Sequence, residues 1–203
     1  MGDRDGGKYD SVKDGGEQPQ VREVAPRFTY RDYLRQSDDK RYELIEGELV
    51  LAPTPSPLHQ GLVTRILRLL HTHVSARNLG AVLAAPLDVV LSDENVLQPD
   101  VLFVATDRLD IITQTHVAGA PDLVVEILSK SSVNRDRIAK RDIYRRYGVK
   151  EYWIVDPVGK SIEVFTGSPQ VHTVKNGPAR ISPLLSELVV DLPGLFREPY
   201  YLG

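Results

Sequence analysis

The chain has no cysteine. Disulfides, thiolate metal sites and cysteine nucleophiles are therefore excluded. This fits a reducing compartment, and the expected location is the cytoplasm. An excess of basic charge is also lacking. Lys and Arg number 25 against 28 Asp and Glu, a formal net charge of −3. Avid binding to nucleic acid over the whole surface is thus not advertised, although a local basic patch is compatible with these numbers. No apolar run approaches the ~18 residues of a membrane span. The first residues lack a basic-then-apolar leader, so no signal peptide is expected. Neither a helix-turn-helix nor a zinc finger is there to read bases, and no repeat of solenoid length is visible.

What is present reads as a globular chain, with 41% hydrophobic and 26% charged residues. Residues 1–25 are mainly Gly, Asp, Lys, Gln and Ser, too poor in apolar positions to offset their ordering entropy. They are expected to form a disordered tail. Residues 26–203 are expected to form one α/β domain, a central mixed sheet flanked by helices.

Along that domain, Thr29 caps a short helix over 30–35. Residues 41–51 read as two strands joined at Gly47, carrying Glu43, Glu46 and Glu48. Pro53, Pro55 and Pro57 make a stiff connection. A helix follows from Leu58 to Asn78, with Leu62, Ile66, Leu69, Leu70 and Val74 at helical spacing. Residues 81–91 and 96–104 each read as a strand, and 106–115 as a short helix or loop. Residues 122–128 form an apolar, branched run typical of a buried strand. A helix is expected from the cap-rich 131–136 segment to Gly148. Strands at 151–156 and 161–166 form a hairpin, with further strand candidates at 171–174 and 188–190.

One acid interrupts the apolar run at Glu126. An ionised carboxylate is rarely buried without a partner, so Glu126 calls for a cation, either a metal or a lysine. On the next helix Asp136, Lys140 and Tyr144 stand at i, i+4 and i+8 and share one face. Asp100, in Gln98-Pro99-Asp100, precedes another apolar strand. Adjacent strands lie ~4.8 Å apart, so Asp100 and Glu126 can hold one cation between them. Oxygen ligands favour Mg²⁺ or Mn²⁺. Such an ion activates water and stabilises a phosphodiester transition state, and Lys140 can orient that water or the developing charge. Asp122 is a weaker choice. Four residues along an extended strand place its Cα roughly 13 Å from that of Glu126. It is expected to pair at the strand entrance instead.

The ordered string Tyr42-Glu-Leu-Ile-Glu-Gly-Glu-Leu49, Pro55-Ser with His59, Gln98-Pro-Asp-Val-Leu-Phe-Val104, Gly119-Ala-Pro-Asp-Leu-Val-Val-Glu-Ile-Leu-Ser129, Asp136 with Lys140 and Tyr144, and Gly148-Val-Lys-Glu-Tyr-Trp-Ile-Val-Asp-Pro157 resembles the Uma2 family, also called DUF820. The resemblance covers about residues 28–195. It implies the PD-(D/E)XK restriction-endonuclease-like fold, Mg²⁺-dependent cleavage of DNA phosphodiesters, and a homodimer. It also implies Asp100 and Glu126 as metal ligands and Lys140 as the catalytic lysine. Two residues after Glu126 stands Leu128, where the motif has lysine, and Lys130 lies past the strand end. Glu43 is the choice for an additional metal or water ligand, with Glu46 and Glu48 as alternatives.

Plainer readings stand beside these. Asp100 can cap a turn, Glu126 can pair with Arg137 or Arg141, and Lys140 can be a solvated helix residue. His59 reads as a capping or packing residue and Tyr144 as packing. Asp156 before Pro157 reads as a turn acid. Arg135, Arg137, Lys140, Arg141, Arg145 and Arg146 form either a phosphate-facing patch or a solvated face. The rival function is a module on the same fold that binds nucleic acid or protein without cutting.

Overall fold

The computed structural model describes Gly2 and residues 27–36, 40–129, 135–167 and 171–199. The expected tail lies outside the described residues except for Gly2, and so do Lys130 and the expected helix start at 131–134. Thr29 caps α1 (Tyr30–Tyr33) reciprocally with Asp32. β1 (Tyr42–Ile45) and β2 (Glu48–Leu51) form a hairpin. Its turn holds Glu46 and Gly47 at φ 49° and 80°, so the acids on either side lose strand parity. α2 (Pro57–Ser75) begins where the Ser56 hydroxyl accepts the His59 N–H, with proline in the first turn. Of its expected stripe, Leu62, Ile66, Leu70 and Val74 are buried and Leu69 is half-buried.

Two expected strands are each broken in two. Residues 81–91 become β3 (Gly80–Ala84) and β4 (Val89–Ser92), and residues 96–104 become β5 (Asn95–Leu97) and β6 (Val101–Ala105). Pro86 and Pro99 stand at the breaks. Proline has no N–H to give a ladder, and at each break the chain leaves one sheet for another. A 3₁₀ turn (Thr106–Ile111) leads to β7 (Val117–Ala118) and β8 (Leu123–Ile127). A π-helical turn (Arg135–Lys140) runs into α3 (Arg141–Arg146). Then come β9 (Glu151–Asp156), β10 (Ser161–Thr166), β11 (Val171–Val174), β12 (Pro178–Arg180), β13 (Val189–Asp191) and α4 (Leu192–Leu195).

Six strands form the main sheet in the order β11-β10-β9-β8-β6-β3. Only β8 and β9 are parallel in it, so the sheet is mixed as expected. Alternation along β8 divides the core. Leu123, Val125 and Ile127 join the α2 stripe, together with Phe103, Trp153 and Val155. Val124 faces the other way, with Ile143 and Tyr144 of α3 and Tyr152 and Ile154 of β9. A second sheet, β2-β1-β5-β4-β7, covers that other face through Ile45, Leu97, Val89 and Val117. The sequence reading merged this second sheet with the first. β8 is buried along its whole length between two layers, which explains its nearly unbroken apolar sequence. Among the described residues no helix is long and apolar enough to cross a membrane.

Candidate active site

The break at Pro99 sets the site. β6 and β8 pair with Val101 opposite Val125. Continuing that antiparallel register by one residue brings Asp100 opposite Glu126. Directly opposed residues have Cβ atoms ~4.5–5.5 Å apart. The Asp100 carboxylate replaces a ladder carbonyl, because its Oδ2 accepts the Ile127 N–H at 2.7 Å. His59 reaches the same Oδ2 with Nε2 at 3.3 Å from the first turn of α2.

Glu126 and Lys140 meet on the other side. Lys140 Nζ lies 2.9 Å from Glu126 Oε1, 2.8 Å from Glu43 Oε1 and 3.7 Å from Asp136 Oδ1. Its side chain is only 5% exposed, so the reading of a solvated helix lysine is overturned. The cation that Glu126 requires is therefore supplied by the protein. Tyr144 donates its hydroxyl to Glu126 Oε1 at 3.0 Å, a polar role beyond the expected packing. Glu43 Oε1 also accepts the Gln98 N–H at 2.9 Å, tying the second sheet to the Pro99 break. Glu46, one of the two alternatives to Glu43, pairs instead with Arg146 at 2.9 Å on the surface. Glu48 is exposed on β2 and does not line the cavity.

The local electrostatics follow from burial. Burial pushes the Glu126 carboxyl well above its ordinary value against the pull of Lys140, and Asp136, Asp100 and Glu43 push it further up. Burial acts against the Lys140 ammonium, yet Glu126, Glu43 and Asp136 outweigh it and hold that pKa above its usual range. The short contacts to both Lys140 and Tyr144 favour a charged Lys140, whose ammonium is shared by three acids. Burial likewise raises the Tyr144 hydroxyl, reinforced by Glu126. For His59, burial disfavours the imidazolium, but the bond to Asp100 prevails and raises its pKa.

Asp100, Glu126, Lys140, Glu43, Asp136 and His59 all line one cavity of about 620 Å³. Asp136 and His59 are the members that the sequence reading did not place in the site. Asp136 was legible as an i,i+4 neighbour of Lys140 and His59 as a residue at a helix start, and both stand in the ordered string that resembles the family. Among the described residues Nδ1 of His59 is buried without a hydrogen-bond partner, as is Oε1 of Gln98 in the same wall. Asp122 sits at the entrance of β8 as expected, bonded to Arg108 at 2.9 Å and Lys150 at 2.8 Å. Asp156 is the expected turn acid, accepting the Val158 and Gly159 N–H groups.

The donor set of carboxylate oxygens suits a hard divalent ion. Asp100 and Glu126 each use one oxygen in the bonds given above, Oδ2 and Oε1 respectively. Among the described residues no group of three His, Asp or Glu side chains converges as a ready-made metal cage. Two carboxylates completed by water and substrate oxygens match how Mg²⁺ is commonly held.

The fold agrees with a known structure. A crystal structure of a "putative nuclease belonging to DUF820" from Anabaena variabilis superposes with a TM-score of 0.70 at 19% identity, covering 83% of this chain and 97% of that one. At that identity the likeness concerns the fold. In sequence, the chain is 24% identical over 132 residues to an "Uncharacterized protein sll1609" of Synechocystis, covering 64% of this chain and 75% of the relative. Residues 29–193 match the family model described as "Putative restriction endonuclease", and the chain is a member of the Uma2 family.

Proposed function

We propose that this protein is a metal-dependent endonuclease that hydrolyses phosphodiester bonds in DNA. The observation that carries the reading is the meeting at one cavity of Asp100, just before β6, Glu126 in β8 and a buried lysine, with Glu126 2.9 Å from Lys140 and Asp100 bonded to the Ile127 N–H. Asp100 and Glu126 are the residues to hold a divalent ion, Mg²⁺ or Mn²⁺. When bound, the ion supplies Lewis-acid stabilisation and a water of lowered pKa. His59 and the Ile127 N–H fix Asp100. Tyr144 fixes Glu126. Lys140 remains a cation beside the acids, positioned to orient water or to offset negative charge on the phosphate. Glu43 holds Lys140 in that place.

The test is cleavage of several DNA forms with Mg²⁺ by the wild type, Asp100→Ala and Glu126→Ala. Loss of cleavage in both variants is expected, and equal activity in all three removes the assignment. A second reading, binding without cleavage, is favoured by one feature. Lys140 is already shared by Glu43, Glu126 and Asp136, which leaves its ammonium heavily occupied. If no divalent ion raises the melting temperature while DNA still binds, this second reading prevails.

A further inference from the structure

Of the basic residues read from sequence as either a phosphate-facing patch or a solvated face, those from Arg137 to Arg146 are largely neutralised. Arg137 pairs with Glu163 and Asp156, Arg141 and Arg145 with Asp142, and Arg146 with Glu46. Lys140 is buried among acids. Positive charge collects elsewhere, in a cleft of about 660 Å³ between α2, β13 and α4. Arg65, Arg68, Arg77 and Arg197 line it, and Asp191 is the one carboxylate in that lining. This inverts the balance of a chain with formal net charge −3.

We propose that this cleft is a second site, one that grips the sugar-phosphate backbone of nucleic acid flanking the cut; this rests on the nuclease reading above. The cleft has a fixed wall. The Arg65 guanidinium donates to the carbonyls of Leu195 at 3.0 Å, Arg197 at 2.6 Å and Pro199 at 3.2 Å, stapling the segment after α4 across α2. Arg77 is held at 3.1 Å from Glu187, on the rim. Arg68 and Arg197 are exposed, and among the described residues no ion pair engages either.

Spacing favours a polyanion strand over a compact ligand. From Arg65 to His73, the α2 residues that line the cleft, the helix advances roughly 12 Å at 1.5 Å per residue. A DNA strand advances about 3.4 Å per phosphate, so this wall spans about three to four phosphates. α2 also joins the two cavities, since His59 lines one and Arg65 the other. About 9 Å of helix rise separates them. Guanidinium forks match phosphate and carboxylate oxygens alike, so the strand-like spacing is what favours nucleic acid over a carboxylate-rich protein. Among the described residues no Phe, Tyr or Trp lines the cleft and its one imidazole, His73, is buried, so bases find no stacking platform. The cleft reads backbone, without sequence preference.

Binding of labelled duplex and single-stranded DNA by the full chain, followed by fluorescence anisotropy in EDTA across salt concentrations, tests this. Arg68→Glu/Arg197→Glu is expected to bind at least tenfold more weakly at low salt. The slope of log affinity against log salt should fall by about two, near 0.9 for each phosphate no longer neutralised. Arg145→Glu, on α3, should stay within twofold of wild type. Should the charge reversal disturb folding by thermal melt, Arg68→Gln/Arg197→Gln is expected to show the same fall in slope. Unchanged affinity and slope, or no DNA binding by the wild type, overturns the proposal. Tighter binding of poly-glutamate than of DNA overturns it in favour of an acidic protein partner. Cleavage assays with Asp100→Ala keep the two readings apart. A wild type that never cuts, while the arginine variant shows the reduced slope, defeats the nuclease reading and leaves the cleft standing.

Discussion

Replacing Lys140 with methionine leaves Glu126, Glu43 and Asp136 facing one another without their shared ammonium. Removing one partner from a buried ionic group costs about 3–5 kcal/mol. The loss should depend on pH. In wild type the raised Lys140 pKa gives a contribution complete at neutral pH and lost only as pH rises through the folded value. In Lys140→Met the acids can relieve repulsion only by taking protons, and burial already pushes Glu126 that way. Urea unfolding should therefore show a larger deficit at pH 8 than at pH 5, and a deficit independent of pH would contradict the charged cage. Asp122 gives the opposite limb. Its burial opposes ionisation, but the Ala105 N–H, Lys150 and Arg108 together hold its carboxyl below the usual value. Its contribution is present above the unfolded value of about 3.9 and lost as pH falls through the folded one. Asp122→Asn should cost about 1–3 kcal/mol at pH 7 and flatten the acid side of the stability profile.

At the scale of elements, the seat of α2 against the sheet decides where His59 lies. The chain leaves α2 and enters β3 at Gly80, which has φ 150°. A Cβ there would stand 2.0 Å from the Val104 carbonyl oxygen and 2.9 Å from Ala105 Cα. Both are backbone atoms, so nothing small can swing aside. Gly80→Ala should destabilise by about 2–4 kcal/mol, combining strained backbone with a displaced strand. Denaturant midpoints measure this, and a midpoint within error of wild type would mean that β3 can shift freely along β6. The two broken strands are also effects at this scale. Pro86 and Pro99 were visible in the sequence, and each argued against a continuous ladder. The apolar sequence on either side concealed the breaks, because both halves are partly or fully buried, though in different sheets.

For the whole molecule, ion binding should appear as stability. A ligand that binds only the folded chain stabilises it by about 2.7 kcal/mol at one hundred times its Kd. For a chain of this size each kcal/mol moves Tm by roughly 2–4 °C. Mg²⁺ or Mn²⁺ should raise Tm in wild type, and the rise should vanish in Asp100→Asn/Glu126→Gln. A rise of equal size in that variant would place the ion elsewhere.

Local chemistry alone determined much of this protein. The apolar run around Glu126, the capped helices, the Asp136–Lys140–Tyr144 face and the demand of Glu126 for a cation follow from residue type and spacing, which are properties of short segments. The second sheet, the recruitment of Glu43 across it, the contact of His59 with Asp100 and the basic cleft were decided by tertiary structure. They join residues as far apart in sequence as Glu43 and Lys140, or Arg65 and Arg197. No periodicity reports such distances, because the contacts arise only when layers pack and their buried charges must find partners in space.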